Sequence, residues 1–117
     1  MNDDTEIRRG DVVVVRLDPA EGHEMKKTRP AVIVQNDIGN RNSSTTIVAP
    51  ATGTHQGYPF EVLVEADESP FDKDSSVRLD QIRVVSVEKR IHSVLGSLSE
   101  PTMAEVDEAL KLSLGLD

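Results

Sequence analysis

The chain has no cysteine and no tryptophan, and only one tyrosine and two phenylalanines among its 117 residues. Without cysteine there is no disulfide framework, no thiolate metal site and no sulfur nucleophile. Tyr58, Phe60 and Phe71 alone are poor material for an aromatic platform on which single strands stack. Long apolar runs are missing too. No stretch approaches the length of a membrane span, and the opening MNDDTEIRRGD lacks the apolar run of a secretory signal. The expectation is a soluble, cytoplasmic protein with no membrane partner. Neither G-x-x-x-x-G-K-[ST] nor G-x-G-x-x-G occurs, which removes the common nucleotide chemistries. His23, His55 and His92 are scattered, with no H-x-x-x-H or H-E-x-x-H spacing. The DKDSS stretch at Asp72 lacks the glycine and closing glutamate of a calcium loop. No metal and no cofactor is expected.

Positive charge is also scarce. The formal net charge is -8, and it is unevenly divided: residues 1–60 carry a net of -1 and residues 61–117 a net of -7. An acidic chain argues against broad non-specific nucleic-acid binding, which needs an extended basic surface. It leaves room for a local anion site in the near-neutral half. The stretch MKKTRPAVIVQND, residues 25–37, sets two lysines and an arginine before a proline and an apolar run. A charge run this short is most often a solvated loop, so its role depends on the surroundings.

The length corresponds to one domain over residues 1–117, with residues 1–7 read as a polar, frayed tail. Gly10-Asp11 opens VVVVRL, a buried first strand. Residues 18–29 form a loop, and PAVIVQ is a second strand with Pro30 at its first position. NDIGNRNSS, dense in turn formers, is a connection to TTIVAP, the third strand. ATGTHQGYP is another loop, FEVLVEA a fourth strand, and SVRLDQIRVVSV one bent strand or two short ones. Short strands with no helix between them point to an antiparallel barrel or half-barrel. At the C-terminus Ser99 suits a helix cap, Glu100 and Pro101 its first turn, and Gly115 its end. Met103, Val106, Leu110 and Leu114 recur at helical spacing.

Two loops hold the polar groups that remain. One carries His23, Glu24, Lys26, Lys27 and Arg29; the other carries Thr52, Thr54 and His55. Brought together, these cations, hydroxyls and a carboxylate suit a phosphodiester. Arginine and lysine bind its non-bridging oxygens, hydroxyls orient them, and a carboxylate or imidazole moves a proton.

Six ordered blocks carry a resemblance: RRGDVVVVRLDP; GHE followed by TRPAVIVQNDIGN; TTIVAPAT; GYPFEV; VRLDQIRVV; and MAEVDEALKLSLGL. Together they resemble the MazF/PemK (Kid) family of toxin endoribonucleases from type II toxin–antitoxin systems, over nearly everything from Arg8 onward. The resemblance implies an SH3-like antiparallel β-barrel with a C-terminal α-helix, a mainly β (α+β) class. It implies a homodimer, a cognate antitoxin as partner and single-stranded RNA as substrate. It also implies metal-independent, sequence-specific cleavage of mRNA to 2′,3′-cyclic phosphate and 5′-hydroxyl ends. The family's catalytic arginine falls on Arg29, its catalytic threonine on Thr52, and the acidic residue of the loop between the first two strands on Glu24. Groove-lining positions fall on Asn36, Asn40 and Gln81. Lys26, Lys27, His23 and His55 join them as candidate substrate contacts, and either histidine is a further candidate for proton transfer beside Glu24. The family's fold relatives include a toxin that binds DNA gyrase and cuts nothing, so a protein-binding toxin is the alternative. This chain departs from the family at Met25-Lys26-Lys27-Thr28, where relatives tend to have glutamine and small residues, and at His23, more often serine. Both changes bear on which RNA sequence is preferred.

Overall fold

Four consecutive valines, Val12 to Val15, fill a strand only where both faces of a sheet are covered. The computed structural model, which describes residues 6–116, places them in β1 (Asp11–Arg16). It is followed by β2 (Thr28–Ile33), α1 (Asp37–Asn42), β3 (Thr45–Thr52), β4 (Glu61–Val64) and β5 (Ser75–Arg78). Then come β6 (Arg83–Ser86), α2 (Val87–Arg90), β7 (Ile91–Ser97) and α3 (Glu100–Leu114). Val12 packs into a core under α3 with Val32, Ala49, Val77, Leu79 and Val106. Val13 and Val15 point the other way, into a second core with Leu17, Ala31, Ile33, Val48, Val85 and Ile91.

The strands form one seven-stranded sheet in the order β4-β5-β3-β2-β1-β7, with β6 also on β3. Every pairing is antiparallel. β3 is shared along its length: Thr45–Val48 pair with β6, and Ala51 and Thr52 pair with β5. SVRLDQIRVVSV is therefore two strands on one side of β3, separated by a turn at Leu79 and Asp80. The expected barrel is present as a curled sheet whose end strands, β4 and β7, do not pair. The connection from β4 to β5 packs on β7 instead. Pro70 packs so closely on Gly96 (φ 153°) that a Cβ there would lie 2.8 Å from Pro70 Cγ. Only glycine suits both that φ and that approach.

α3 starts and stops as its sequence predicts. Ser99 Oγ accepts from Thr102 N–H at 3.3 Å. Gly115 takes the left-handed conformation at φ 74° and donates to Leu112 O. Val106 and Ala109 are buried, with Met103 and Leu110 packed beside them. The expected apolar stripe fails at its last member, since Leu114 is 52% exposed. At that turn Ser113 faces the sheet, its hydroxyl donating to Leu79 O at 2.8 Å, which turns Leu114 outward.

Three further expectations need correction. Ile7 is buried against the second core, so a frayed tail does not extend to it; residues 1–5 lie outside the described residues. NDIGNRNSS contains the short helix α1, because the asparagines and aspartate that read as turn formers bond within it. Asn36 Oδ1 accepts from Gly39 N–H at 2.8 Å, capping α1. Residues 88–98, given no element by sequence pattern, hold β7 and all of α2 except Val87, which the pattern assigned to a strand. Most of β7 is exposed, so its residues show no inside–outside alternation.

Asn40 is buried and fully used. Its Nδ2 donates to Gln35 O at 3.0 Å and Asp37 Oδ1 at 3.1 Å. Its Oδ1 accepts from Gln35 Nε2 at 3.0 Å and Thr46 Oγ1 at 2.7 Å. The Asp37 carboxyl is held below the usual range by the Arg9 backbone N–H and then by Asn40. Asn40→Ala leaves the buried Thr46 hydroxyl without its acceptor. It is expected to cost about 2 kcal/mol in urea unfolding, the usual penalty for an orphaned buried polar group. A change below about 0.5 kcal/mol, the size of an ordinary surface substitution, would show the network to be dispensable.

Candidate active site

β2 and β3 pair as Ala31↔Pro50, Val32↔Ala49 and Ile33↔Val48. Continued by two residues, that register sets Arg29 opposite Thr52. On the far side of β3, Thr52 pairs with Ser76. Residues opposite one another in a ladder share a face. Arg29, Thr52 and Ser76 therefore lie in a row on one face of the sheet, Thr52 paired with Ser76 and Arg29 two residues beyond the last β2–β3 pair.

Arg29 stands at the head of β2. Its Nε donates to Lys26 O at 2.8 Å, which fixes the guanidinium plane. Among the described residues neither Nη group has a partner. Two residues earlier, Lys27 holds a left-handed conformation, φ 72°, unusual for a residue with a side chain. Two bonds keep it there: its N–H donates to Asp18 Oδ1 at 3.0 Å and its carbonyl accepts from Leu17 N–H at 2.8 Å. Lys26 and Lys27 are both exposed. Arg29 and Thr52 border a shallow cleft of about 240 Å³, with Lys73 on its rim.

A larger cleft of about 550 Å³ is lined by His23, Glu24, Met25, Pro50, Gln81 and Arg83, among others. Pro50, in the wall of this cleft, lies two residues before Thr52 on the same face of β3, about 7 Å along the strand. Gln81 Oε1 accepts from Met25 N–H at 3.1 Å, tying the β1–β2 loop to the turn after β5. Glu24 Oε1 accepts from Glu21 N–H at 2.8 Å, closing its own loop. Arg29, Thr52, Glu24, His23 and Gln81 thus belong to one end of the sheet. Asn36 and Asn40 do not: Asn36 caps α1 and Asn40 lies within it, beyond the opposite end of β2, and Asn40 is committed to the network above.

His55 joins the row through Ser76. Its Nδ1 lies 3.0 Å from Ser76 Oγ, which donates in turn to Glu61 Oε1 at 3.1 Å. The Glu61 side chain is fully buried, and it accepts from Tyr58 N–H at 2.9 Å and Gln56 N–H at 3.3 Å. Burial pushes the Glu61 pKa up. The bonds from Tyr58, Ser76 and Gln56, with the Arg78 charge, outweigh it and leave the carboxyl below its ordinary range. Arg78 Nε is 4.0 Å from Glu61, and the guanidinium donates twice to Asp80, from Nε at 2.8 Å and from Nη2 at 2.7 Å. Those Asp80 bonds are the main reason its pKa is raised. Its guanidinium lies 5.9 Å from the Tyr58 ring centre and 5.7 Å from that of Phe60. The sequence reading singles out none of Glu61, Ser76 and Arg78. The available signal was a carboxylate opening the otherwise apolar EVLV. Among the described residues no three His, Asp or Glu side chains converge to hold a metal ion. No helix there is long and apolar enough to cross a membrane.

Known proteins share this architecture. MazF from Deinococcus radiodurans is 27% identical, with a TM-score of 0.83 over 94% of this chain and 97% of that one. An endoribonuclease from Mycobacterial species is 25% identical, with a TM-score of 0.79 over 99% of this chain and 95% of that one. The fold is shared by an endoribonuclease in complex with its cognate antitoxin, also from Mycobacterial species: 24% identical, TM-score 0.80, covering 95% and 97%. Residues 8–114 match the family model of PemK-like, MazF-like toxins of type II toxin–antitoxin systems, and the chain belongs to that family.

Proposed function

We propose that this toxin is a sequence-specific endoribonuclease that cuts single-stranded RNA, mRNA above all, in the cytoplasm without a metal ion. The observation that carries the reading is that Arg29 and Thr52 border one cleft at the open end of β2 and β3. The endoribonuclease and the MazF structure that this chain resembles support it.

RNA brings its own nucleophile. A ribose 2′-OH attacks the adjacent phosphorus, the bond to the 5′-oxygen breaks, and the products are a 2′,3′-cyclic phosphate and a 5′-hydroxyl. The protein must stabilise negative charge on the phosphorane and move two protons. Arg29, with its plane fixed and its Nη groups directed by the Lys26 carbonyl, binds the non-bridging oxygens. Thr52 orients one of them from the neighbouring strand. The larger cleft offers Glu24, Gln81 and His23 to the flanking nucleotides, and the exposed Lys26 and Lys27 meet the phosphates that follow. Asn36 and Asn40, at the far end of β2, take no part in this arrangement.

The active form is a homodimer. Val84, Val94 and Leu95 are large, exposed and apolar at 59, 43 and 43%, and a second copy gives them cover. A cognate antitoxin binds along that dimer and blocks the RNA groove. Light scattering at micromolar concentration is expected to give twice the mass of one chain; a monomer would contradict the dimer.

Arg29→Ala is expected to lower the cleavage rate by about 10²–10³, the usual effect of removing one charge stabiliser, with the fold unchanged by circular dichroism. Near-normal cutting by the folded variant would remove Arg29 from the mechanism. Because the nucleophile resides in the substrate, cleavage of a long RNA is expected to persist in excess EDTA and leave cyclic phosphate ends. A magnesium requirement or 5′-phosphate ends would place the protein in another nuclease class. No cutting at all would favour a protein-binding toxin.

A further inference from the structure

We infer that His55 is the proton acceptor for the attacking 2′-OH, and that Ser76 and Glu61 are positioning residues that fix which ring nitrogen does it. The inference rests on the ribonuclease reading and deepens it.

Hydrogen-bond bookkeeping sets the direction of the chain His55–Ser76–Glu61. Glu61 is ionised in its buried pocket, so it only accepts. A serine hydroxyl has one proton. At 3.1 Å from the carboxylate, Ser76 spends that proton on Glu61. Its oxygen is left as an acceptor facing His55 Nδ1 at 3.0 Å, so the neutral ring carries its proton on Nδ1. Nε2 then holds the lone pair. A carboxylate that fixes a histidine's tautomer is a recurrent way of making the other nitrogen a base; here a serine stands between them.

Position agrees with chemistry. Ser76 lies directly across from Thr52, so the His55 ring is fastened one strand away from the phosphate-orienting threonine. His55 itself is exposed and open to a bound strand. The same carboxylate holds the backbone on either side of Gly57, through Gln56 and Tyr58 N–H, so the loop carrying His55 is anchored at its base. Glu24 is less well placed. Its carboxylate closes its own loop, in the cleft on the other side of Pro50.

The step balances as follows. Nε2 takes the 2′-OH proton while the 2′-oxygen forms its bond to phosphorus. The bond from phosphorus to the 5′-oxygen breaks, and that oxygen takes a proton from water. The imidazolium returns its proton to solvent, so no oxidant, reductant or further reactant is needed.

Single-turnover cleavage of a defined RNA by the full chain tests the assignment. His55→Ala is expected to slow the chemical step by about 10²–10⁴, the range for general-base catalysis, with little change in KM. Added imidazole is expected to restore part of the rate, which no purely structural role predicts. ¹⁵N NMR of the wild-type protein is expected to show the neutral His55 ring protonated on Nδ1, and Glu61→Gln is expected to change that population. Undiminished cutting by His55→Ala, a loss that imidazole does not restore, or an Nε2-protonated ring would each overturn the assignment while the nuclease reading stands. Wild-type protein that cuts no RNA would overturn both.

Discussion

β3 hydrogen-bonds on both edges, and the placement of the site depends on that. On one side it holds β2; on the other it holds β6 along its first half and β5 at its end. Because ladder partners share a face, the two registers fix Arg29, Thr52 and Ser76 in a single row. A slip of one residue in either pairing would turn one member of the row to the opposite face. The buried valines and alanines beneath resist such a slip: Ala49, Ala51 and Val77 fill the core under α3, while Val48 and Ala31 fill the other. Packing of apolar residues thus sets the geometry of the polar ones.

Charge follows the same economy. The protein is acidic overall, with a formal net charge of -8, yet the end of the sheet that carries the candidate site gathers Lys26, Lys27, Arg29 and Lys73. A polyanion at that site would meet a local cationic rim rather than a basic surface, which restricts where a strand can be held. Several other arginines are occupied by the fold. Arg83 donates to Leu17 O at 2.9 Å, and Arg90 to Arg16 O at 2.9 Å and Asp18 O at 2.7 Å, bracing the base of the β1–β2 loop. Arg78 is bound to Asp80. Arg29, with only its Nε engaged, is the arginine in the row that is free to grip an anion.

Much of this was legible in the sequence. The valine run, the strand after Arg29-Pro30, TTIVAP and the capped C-terminal helix follow from β-branched clusters, proline and glycine placement and helical spacing. Arg29 and Thr52 come from the motif resemblance, and the fold sets both on one cleft. Other features were hidden for physical reasons. β7 is exposed along most of its length, so it shows no alternation. Asn40 and Asn36 resemble polar groove residues in the sequence, yet one is spent on a buried network and the other on a helix cap. Glu61 and Ser76 lie within strands, where a carboxylate and a hydroxyl look like solvent-facing positions. Only the fold shows that they face each other and His55. Leu114 fits the helical spacing but yields its place to Ser113, whose hydroxyl finds the Leu79 carbonyl.

The claim on which the account turns is that the phosphate to be cut sits on the row formed by Arg29, Thr52 and Ser76. The most direct measurement is a crystal structure with an RNA whose scissile 2′-OH is replaced by 2′-O-methyl, so that it binds but does not react. The account predicts the scissile phosphate within hydrogen-bonding distance of the Arg29 Nη groups and Thr52 Oγ1, with His55 Nε2 facing the methylated oxygen. A strand that crosses the protein elsewhere, leaving Arg29 and Thr52 without a phosphate, would contradict it.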